Sequence, residues 1–186
     1  MSADAAGAAR RATAADAAAL HGVAAATFAL ACPPGTAEED VAEFIRLHLS
    51  EGRFAQYLAD LARELFVWER GDGVAGLAPL DGYTMLVHEE PRDPDVASVV
   101  VARPTAELSK VYVRADAHGS GIAGRLVAAT VEAARAAGAA SVWLGVNQAN
   151  GRANRFYEKS GFALVGTKRF LVGAEWHDDF VRERVL

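Results

Sequence analysis

The sequence predicts one domain of the mixed α/β class (α+β mixed), in which helices cover both faces of a mostly antiparallel sheet. In the first third of the 186 residues, apolar side chains recur three and four positions apart, which is typical of amphipathic helices. Most of the remainder consists of short apolar runs separated by turn residues, which is typical of strands. One helical run lies between two of these strands, within residues 107–146, and this crossover makes the sheet a mixed one.

The helical part of the chain follows an alanine-rich stretch, residues 1–8, that we expect to be disordered. The domain would then span residues 9–186 and begin with a short strand over 10–13. Thr13 and Asp16 have the spacing of a capping box and start the first helix.

Two further helices are predicted before the strands begin. Pro33-Pro34-Gly35 ends the first helix, because proline cannot continue it. Thr36-x-x-Glu39 caps the second helix and Ser50 caps the third. Their apolar stripes are formed by Val41, Phe44, Ile45, Leu47, Phe54, Tyr57, Leu58 and Leu61.

The rest of the chain alternates strands with two helices. The runs expected to form strands are 64–70, 74–80, 96–102, 107–113, 141–146, 162–172 and 179–185. Gly71-Asp72-Gly73 makes a hairpin turn, and the last two strands form a closing antiparallel pair. Helices are predicted over 121–137 and 150–160. The longer one is expected to bury a face of Ile122, Leu126, Ala129, Ala133 and Ala136.

The composition is that of a globular protein, with 52% hydrophobic and 23% charged residues. A net charge of -5 disfavours nucleic acid as a partner and favours cationic substrates. Cys32 is the only cysteine and the five histidines are scattered, so we expect neither a disulfide nor a metal site. Asp16 and His21 interrupt the apolar N-terminal run, and no run reaches the ~18 residues of a membrane span, so we expect a cytoplasmic protein.

The most informative segment is the glycine loop His118-Gly119-Ser120-Gly121-Ile122-Ala123-Gly124. It follows the apolar run Val111-Tyr112-Val113 and opens the longer helix. This arrangement can cradle phosphates, because the first amides of a helix have no internal partner and the helix dipole is positive there. The loop matches neither the dinucleotide fingerprint nor a P-loop.

A second segment, Asn150-Gly151-Arg152-Ala153-Asn154-Arg155-Phe156-Tyr157-Glu158-Lys159-Ser160-Gly161-Phe162, lies downstream of the loop. Together the two segments resemble the GNAT superfamily of N-acetyltransferases. The cofactor motif of that superfamily, Gln/Arg-x-x-Gly-x-Gly/Ala, corresponds to residues 118–123, with His118 at its first position. The resemblance implies the GNAT fold, in which two parallel strands splay apart to bind acyl-CoA.

The resemblance also implies how acetyl-CoA, as co-substrate, would be held. The amides from Gly119 to Gly124 would bind its pyrophosphate, and His118 could donate to a phosphate. The strand edge at Val111 and Val113 would pair with the pantetheine arm. Asn150 would contact the same arm, and Lys159 could reach a phosphate. The residues expected to bind acetyl-CoA are Val111, Tyr112, Val113, His118, Gly119, Ser120, Gly121, Ile122, Ala123, Gly124, Asn150 and Lys159.

The implied reaction moves an acetyl group from a thioester to a primary amine by direct attack in a ternary complex. An alkylammonium has a pKa near ~10.4, so a base must remove its proton. Glu107, before the cofactor strand, is the candidate base. An N–H near Val111 would polarise the carbonyl. Tyr157 matches the tyrosine that faces the leaving sulfur and would protonate the thiolate.

A narrower resemblance concerns the acceptor. The run Trp143-Leu144-Gly145-Val146 and the tail over 166–184 look like bacterial polyamine (spermidine/spermine) N-acetyltransferases. The residues with the layout of their substrate-side helices are Phe44, His48, Phe54 and Leu58. The acidic residues Glu38, Glu39, Asp40 and Glu43 could attract a polycation or could form a solvated helix face.

Other hypotheses stay open at this point. The acceptor could also be an aminoglycoside-type amine, an amino acid or an amino group of a protein. Alternatively, the chain is a binding module that senses acyl-CoA without turnover, which His118 at the Gln/Arg position permits. The closing antiparallel pair is a candidate homodimer surface. The acidic balance argues against a nucleic-acid regulator.

Overall fold

The computed structural model describes residues 7–32, 35–70, 79–172 and 175–186. Their strands are β1 (Ala9–Arg11), β2 (Arg63–Glu69), β3 (Leu80–Val87), β4 (Thr105–Val113), β5 (Ser141–Asn147), β6 (Ala163–Val172) and β7 (Glu175–Val185). Their α-helices are α1 (Ala17–Ala31), α2 (Glu38–His48), α3 (Glu51–Ala59), α4 (Pro94–Val99), α5 (Ile122–Ala136) and α6 (Gly151–Lys159). Residues 1–6, the Pro33-Pro34 break and the Gly71-Asp72-Gly73 turn lie outside the described residues.

The seven strands form one sheet in the order β1-β2-β3-β4-β5-β7-β6. All neighbouring strands are antiparallel except β4 and β5, which are parallel. The predicted mixed and mostly antiparallel sheet is therefore confirmed. The crossover between the parallel strands contains α5, as its position in the sequence indicated.

The parallel pair is joined at one end only. β4 and β5 pair through three positions, from Thr105 with Ser141 to Glu107 with Trp143. Beyond this point β4 follows β3, and β5 follows β7. A bulge opposite Met85 and Leu86 leaves Ser109 without a cross-strand partner, and such bulges bend a strand. The predicted splayed pair is thus confirmed, with its opening between the C-terminal halves of β4 and β5.

Helices pack on both faces of this sheet. On one face, α1 and α3 bury an apolar cluster against β2 and β3 that includes Leu20, Phe28, Phe54, Val67 and Tyr83. On the other face, α5 packs on β3, β4 and β5. Its cluster includes Leu86, Leu108, Val127, Val131, Leu144 and Phe162. The two cores pack around the end at which β4 and β5 are hydrogen-bonded and leave the splayed end accessible.

The first helix is long and apolar enough to be compared with a membrane-spanning helix. In the described part of the chain, one helical stretch, Ala14–Ala31, is long and apolar enough by length and composition to cross a membrane. The expectation that no such stretch exists is therefore corrected. Leu20, Val23, Ala24 and Phe28 from this stretch are buried in the α1 core, so packing within the domain accounts for its apolar face.

The structure differs from the prediction in three respects: two secondary-structure elements and the buried face of one helix. Residues 96–102 were expected to form a strand because of their valines, but 94–99 form α4. Asp93 caps this helix by accepting from the N–H of Asp95 (2.9 Å), and Pro94 occupies its first turn. The buried valines, Val96 and Val100, are four positions apart, which fits a helix as well as a strand.

The second difference is β3 (Leu80–Val87), because no strand was predicted over 81–87; the strand predicted over 74–80 lies almost wholly outside the described residues. The Asp81-Gly82 pair near the start of β3 has the composition of a turn, which hid the strand in the sequence. Every residue of β3 is nevertheless buried. The third is the buried face of α5, which consists of Ile122, Leu126, Val127, Thr130, Val131 and Ala134. Ala136 is exposed. A smaller shift affects α2, which begins at Glu38 with Ala37 as its N-cap.

Candidate active site

A cavity of about 260 Å³ lies at the open end of the parallel pair. Residues of β4 from Glu107 to Tyr112 form one wall, and Gly145 to Asn147 of β5 form the other. The remaining lining residues come from helices and the closing hairpin and are Phe28, Ala31, Cys32, Phe44, Leu49, Asn150, Ala153, Tyr157, Lys168, Phe170, His177 and Asp179. The cavity therefore brings Glu107, Asn150 and Tyr157, predicted from three separate segments, to one place.

The bulge at Ser109 decides which β4 side chains face the same way. Glu107 pairs with Val87 and Lys110 pairs with Met85, both of which belong to the α1 and α3 core. In an unbroken strand, residues three positions apart would point to opposite faces. The extra residue brings Glu107 and Lys110 to one face, which we call the acceptor side.

The glycine loop has the geometry expected of an anion cradle. Gly119 and Gly121 both have φ of +84°, a conformation that favours glycine. The first helical hydrogen bond of α5 runs from the N–H of Arg125 to the carbonyl of Gly121 (3.1 Å). The amides of residues 122–124 precede it and have no helical partner. Ser120 is the weaker donor of the loop, because its N–H contacts the Ala117 carbonyl at 3.4 Å.

His118, at the first motif position, is held by two hydrogen bonds. Its Nε2 lies 2.8 Å from the carbonyl oxygen of Val113, and a carbonyl only accepts, so Nε2 carries the proton. Nδ1 then accepts from the Nη1 of Arg152 at 2.9 Å. The imidazole is occupied by these contacts, and the cation beside the loop is the exposed guanidinium of Arg152.

Asn150 is the N-cap of α6, and its Oδ1 accepts from the N–H of Ala153 (3.0 Å). The buried Asn154 supports it from one turn later. Its Nδ2 donates to the carbonyls of Asn147 (2.9 Å) and Asn150 (3.0 Å), and its Oδ1 accepts from Arg182 (3.2 Å). These bonds fix the end of β5 against the start of α6, where Asn150 lines the cavity.

Tyr157 extends from α6 to the cavity and packs against the rings of Phe156 and Phe162, with centroids 5.2 Å and 6.0 Å away. Burial raises the pKa of Tyr157 above its usual value, so the phenol is protonated at neutral pH. The neighbouring Tyr112 stacks on Tyr83, with centroids 5.5 Å apart. Tyr112 therefore lines the cavity as part of its apolar wall.

The other predicted cofactor residues take two positions. Val111 and Val113 pair with β3 along one edge, and their other edge faces the splay, where β5 has diverged. Lys159 is exposed in the last turn of α6. It lies seven residues, or roughly 10 Å along the helix axis, from Arg152 at the other end.

The acceptor side carries ionisable groups that the sequence analysis did not identify. Lys168 lies opposite Asp179, and Phe170 lies opposite His177, in the β6–β7 register. The period of two in a strand places Lys168 with Phe170, and His177 with Asp179, on common faces, but which residues pair depends on the register of the hairpin. A side-chain carbon at Gly145 would meet Lys168 at 2.7 Å, so glycine leaves space for the lysine.

Burial shifts the pKa of three ionisable groups on the acceptor side. It raises the pKa of Glu107 above its usual range, although Lys168 and Lys110 oppose the shift. It raises the pKa of Asp179 from 3.8 to about 6. It lowers the pKa of Lys110 to about 8. In the described ranges no group of three or more His, Cys, Asp and Glu side chains could hold a metal.

Comparison with known proteins identifies the family. The model of the acetyltransferase (GNAT) family matches residues 27–162, well over half of the chain. The chain belongs to the GNAT family. The resemblance predicted from the two sequence segments is confirmed, and with it an acyltransferase that uses acetyl-CoA as co-substrate. An uncharacterized N-acetyltransferase of Mycobacterium tuberculosis is 43% identical over 171 residues, which cover 92% of this chain and 98% of the relative.

Solved structures show the same fold. The PaiA N-acetyltransferase of Thermoplasma acidophilum, in complex with coenzyme A, has a TM-score of 0.72 at 18% identity, over 96% of this chain and 98% of that one. The spermidine/spermine N-acetyltransferase SpeG of Vibrio cholerae has a TM-score of 0.59 at 17% identity, over 95% and 91%. At such identities the likeness shows the fold alone, and the narrower resemblance to polyamine enzymes is not confirmed.

Proposed function

We propose that this GNAT enzyme transfers the acetyl group of acetyl-CoA to the primary amine of a small molecule by direct attack in a ternary complex. The observation that carries the proposal is the cavity in the splay. It joins Tyr157, on the side of the glycine loop, to Glu107, on the acceptor side. Donor and acceptor can therefore meet between two groups that move protons in opposite directions.

Glu107 is the proposed general base. Its raised pKa brings the carboxylate closer to the pKa of an ammonium, which makes it a stronger base than an exposed glutamate. It lies at the last paired position of the parallel strands, where the backbone is fixed. An N–H of β4 beyond it, near Val111, would polarise the thioester carbonyl.

Tyr157 is the proposed general acid. A phenol with a raised pKa keeps its proton until a thiolate develops beside it. Proton transfer to a thiolate, with a thiol pKa of about 8.5, is uphill by this comparison. We therefore expect the contribution of Tyr157 to be at the low end for acid catalysis, on the order of 10²-fold.

The loop and α6 are proposed to hold the donor. The amides of residues 119–124 would bind the pyrophosphate, with Arg152 as the charged side chain beside them. His118 would act through Arg152, because its ring nitrogens are already engaged. Asn150 would bind the pantetheine arm through its amide, and Lys159 would meet a phosphate further along α6.

A polyamine is the finer expectation for the acceptor, and the structure bears on it. Of the acidic residues of α2 that could attract a polycation, Glu38, Glu39 and Glu43 are exposed and Asp40 is half-buried, and Glu43 pairs with Arg46 (2.6 Å). The cavity itself contains Glu107 and Asp179 together with two lysines. We therefore keep polyamines as one acceptor class in the test below, not as the conclusion.

The remaining expectations are proposals of the same kind. We propose one catalytic domain over residues 9–186, a cytoplasmic location, and activity without nucleic acid or membrane. A homodimer would use the β6–β7 hairpin, where Leu171 and Trp176 are exposed.

A thiol-release assay with acetyl-CoA and a panel of polyamines, amino sugars, amino acids and short peptides tests this function. We expect release of coenzyme A with at least one acceptor, and a loss of ~10²–10⁴-fold in kcat for Glu107→Gln. Calorimetry with coenzyme A is the companion measurement. Binding of coenzyme A without thiol release from any acceptor would favour a sensor and contradict the proposed enzyme.

A further inference from the structure

Two lysines on the acceptor side have no role in the proposed transfer. Lys110 and Lys168 line the cavity within the same cluster as Glu107 and Asp179. In the described part of the chain, neither lysine forms an ion pair or a hydrogen bond with a carboxylate; they contact rings instead. The ammonium of Lys110 lies 5.4 Å from the centre of the Tyr57 ring, and that of Lys168 lies 5.7 Å from the Phe170 ring.

Positive charge is concentrated around Tyr57. Arg53 and Arg63 lie 6.0 Å and 5.1 Å from the centre of the same ring that Lys110 contacts. Arg63 pairs with Asp60 at 2.9 Å, whereas Arg53 is bonded to Gln56 and to the Leu47 carbonyl, which are uncharged. Three cations therefore surround this ring. The carboxylates near them are Asp60, which is paired with Arg63, and the buried Glu107, which interacts electrostatically with Lys110 and Arg63.

Partly buried charges of this kind are normally paired, because water is excluded from them. An acceptor that brought only ammonium groups would face Glu107 and Asp179 but would be repelled by the lysines. An acceptor that also brings an anion would satisfy both sets. Its ammonium would bind the carboxylates before Glu107 removes the proton, and its anion would bind the lysine side.

The uncharged part of the wall defines the rest of the acceptor. The rings of Phe28 and Phe44 are stacked with centroids 4.4 Å apart, and Phe44 meets Phe170 edge-on at 6.0 Å. All three line the cavity. Such a surface suits an apolar or aromatic group and offers no donors to the hydroxyls of a sugar.

Resting on the proposed function, we propose that the acceptor is an amino acid with an apolar side chain. Its α-amine is acetylated beside Glu107, its carboxylate is bound by Lys110 with Lys168 nearby, and its side chain packs on the three phenylalanines. The amine nitrogen forms a bond to the acetyl carbon as the carbon–sulfur bond breaks. The amine proton passes to Glu107, and the sulfur leaves as thiolate and takes a proton from Tyr157.

Matched acceptor pairs test this inference with the full chain. Thiol release is measured at pH 7 with phenylalanine and phenethylamine, and with leucine and 3-methylbutylamine. Each amine lacks the carboxylate, and because the α-ammonium of an amino acid also has a lower pKa, kcat/KM is expressed per unprotonated amine. Spermidine is the polyamine arm. We expect kcat/KM for each amino acid to exceed that of its amine by roughly 10-fold or more, as for a hydrogen bond to a charged group.

Variants then locate the carboxylate. Lys110→Met should lower kcat/KM for the amino acid by roughly 10- to 100-fold more than for the matching amine, mainly through KM. Arg169→Met is the matched control, because Arg169 lies over the exposed Trp176, outside the cavity. If Lys110→Met does not fold, the comparison of wild-type acceptors decides alone.

The outcomes separate the inference from the function on which it rests. Amines or spermidine turned over as well as the amino acids, or a Lys110→Met variant that lowers both members of a pair equally, would overturn the amino-acid acceptor and keep the acetyltransferase. Thiol release from an acceptor of the wider panel but from neither amino acid would overturn the inference alone. Thiol release from none of the acceptors in either panel, with intact binding of coenzyme A, would overturn both.

Discussion

We expect Asp179 to lower the stability of the fold while it contributes to binding of the acceptor. It is buried on β7 opposite Lys168, and its pKa rises from 3.8 to about 6 because burial disfavours the charged form. A carboxylate that is harder to ionise in the folded chain binds its proton more tightly there than in the unfolded chain. The fold therefore loses stability as the pH rises from 3.8 to about 6, and the full cost is present at pH 7.

The size of this effect follows from the shift. About two pKa units correspond to roughly 3 kcal/mol, and the open cavity admits water that screens the charge, so we expect about 2 kcal/mol. Asp179→Asn should raise the free energy of unfolding at pH 7 by that amount. For a chain of this size the gain equals roughly 4–8 °C in Tm. Below pH 3.8 the variant and the wild type should be equally stable.

Urea unfolding at pH 7 and at pH 3.5 measures the difference, with Asp178→Asn as the control. Asp178 is the exposed neighbour on the same strand. Its charge makes the smallest contribution to the raised pKa of Asp179, so its loss should change stability by less than about 0.5 kcal/mol. The same Asp179→Asn variant should bind the acceptor more weakly and raise its KM. A loss of stability at pH 7 would refute the reasoning, because it would mean that Lys168 stabilises the charged Asp179 by more than its burial costs.

Three further variants or conditions probe the rest of the site. Tyr157→Phe should lower kcat on the order of 10²-fold and leave the KM of acetyl-CoA nearly unchanged, and unaltered turnover would remove Tyr157 from the mechanism. Arg152→Ala should raise the Kd of coenzyme A about 10-fold by calorimetry and reduce its salt dependence, whereas an unchanged Kd would exclude the guanidinium from the phosphate site. The KM of an amino-acid acceptor should increase when the pH is raised beyond 8, because Lys110 then loses the charge that binds the carboxylate. The charged or titratable groups around Lys110 are Glu107, Arg63, Arg53 and His48. A KM that does not change with pH would contradict the role of Lys110.

The sequence was sufficient for the parts of the site that depend on the backbone. The glycines at 119 and 121 have positive φ, and Asn150 caps α6, because these functions are local and leave a local pattern. The splay of β4 from β5 was implied by the family resemblance. Its physical cause, the bulge at Ser109, leaves no trace in the composition of the strand.

Other features depend on distant contacts and could not be predicted in this way. The valines of α4 have a spacing that fits either a helix or a strand, and the capping by Asp93 decided between them. His118 looked like a substitute for a phosphate-binding side chain, yet its ring is engaged by Val113 and by Arg152, which is 34 residues away. The pairing of Lys168 with Asp179 follows from hairpin register, which the sequence alone does not fix.

The proposed mechanism requires acetyl-CoA to lie in the splay, with its diphosphate at the glycine loop and its thioester beside Tyr157. A crystal structure of the chain with coenzyme A is the most direct test. We predict phosphate oxygens within hydrogen-bond distance of the amides of residues 119–124, and the sulfur between Tyr157 and Glu107. A nucleotide bound elsewhere, with those amides facing solvent, would contradict the account.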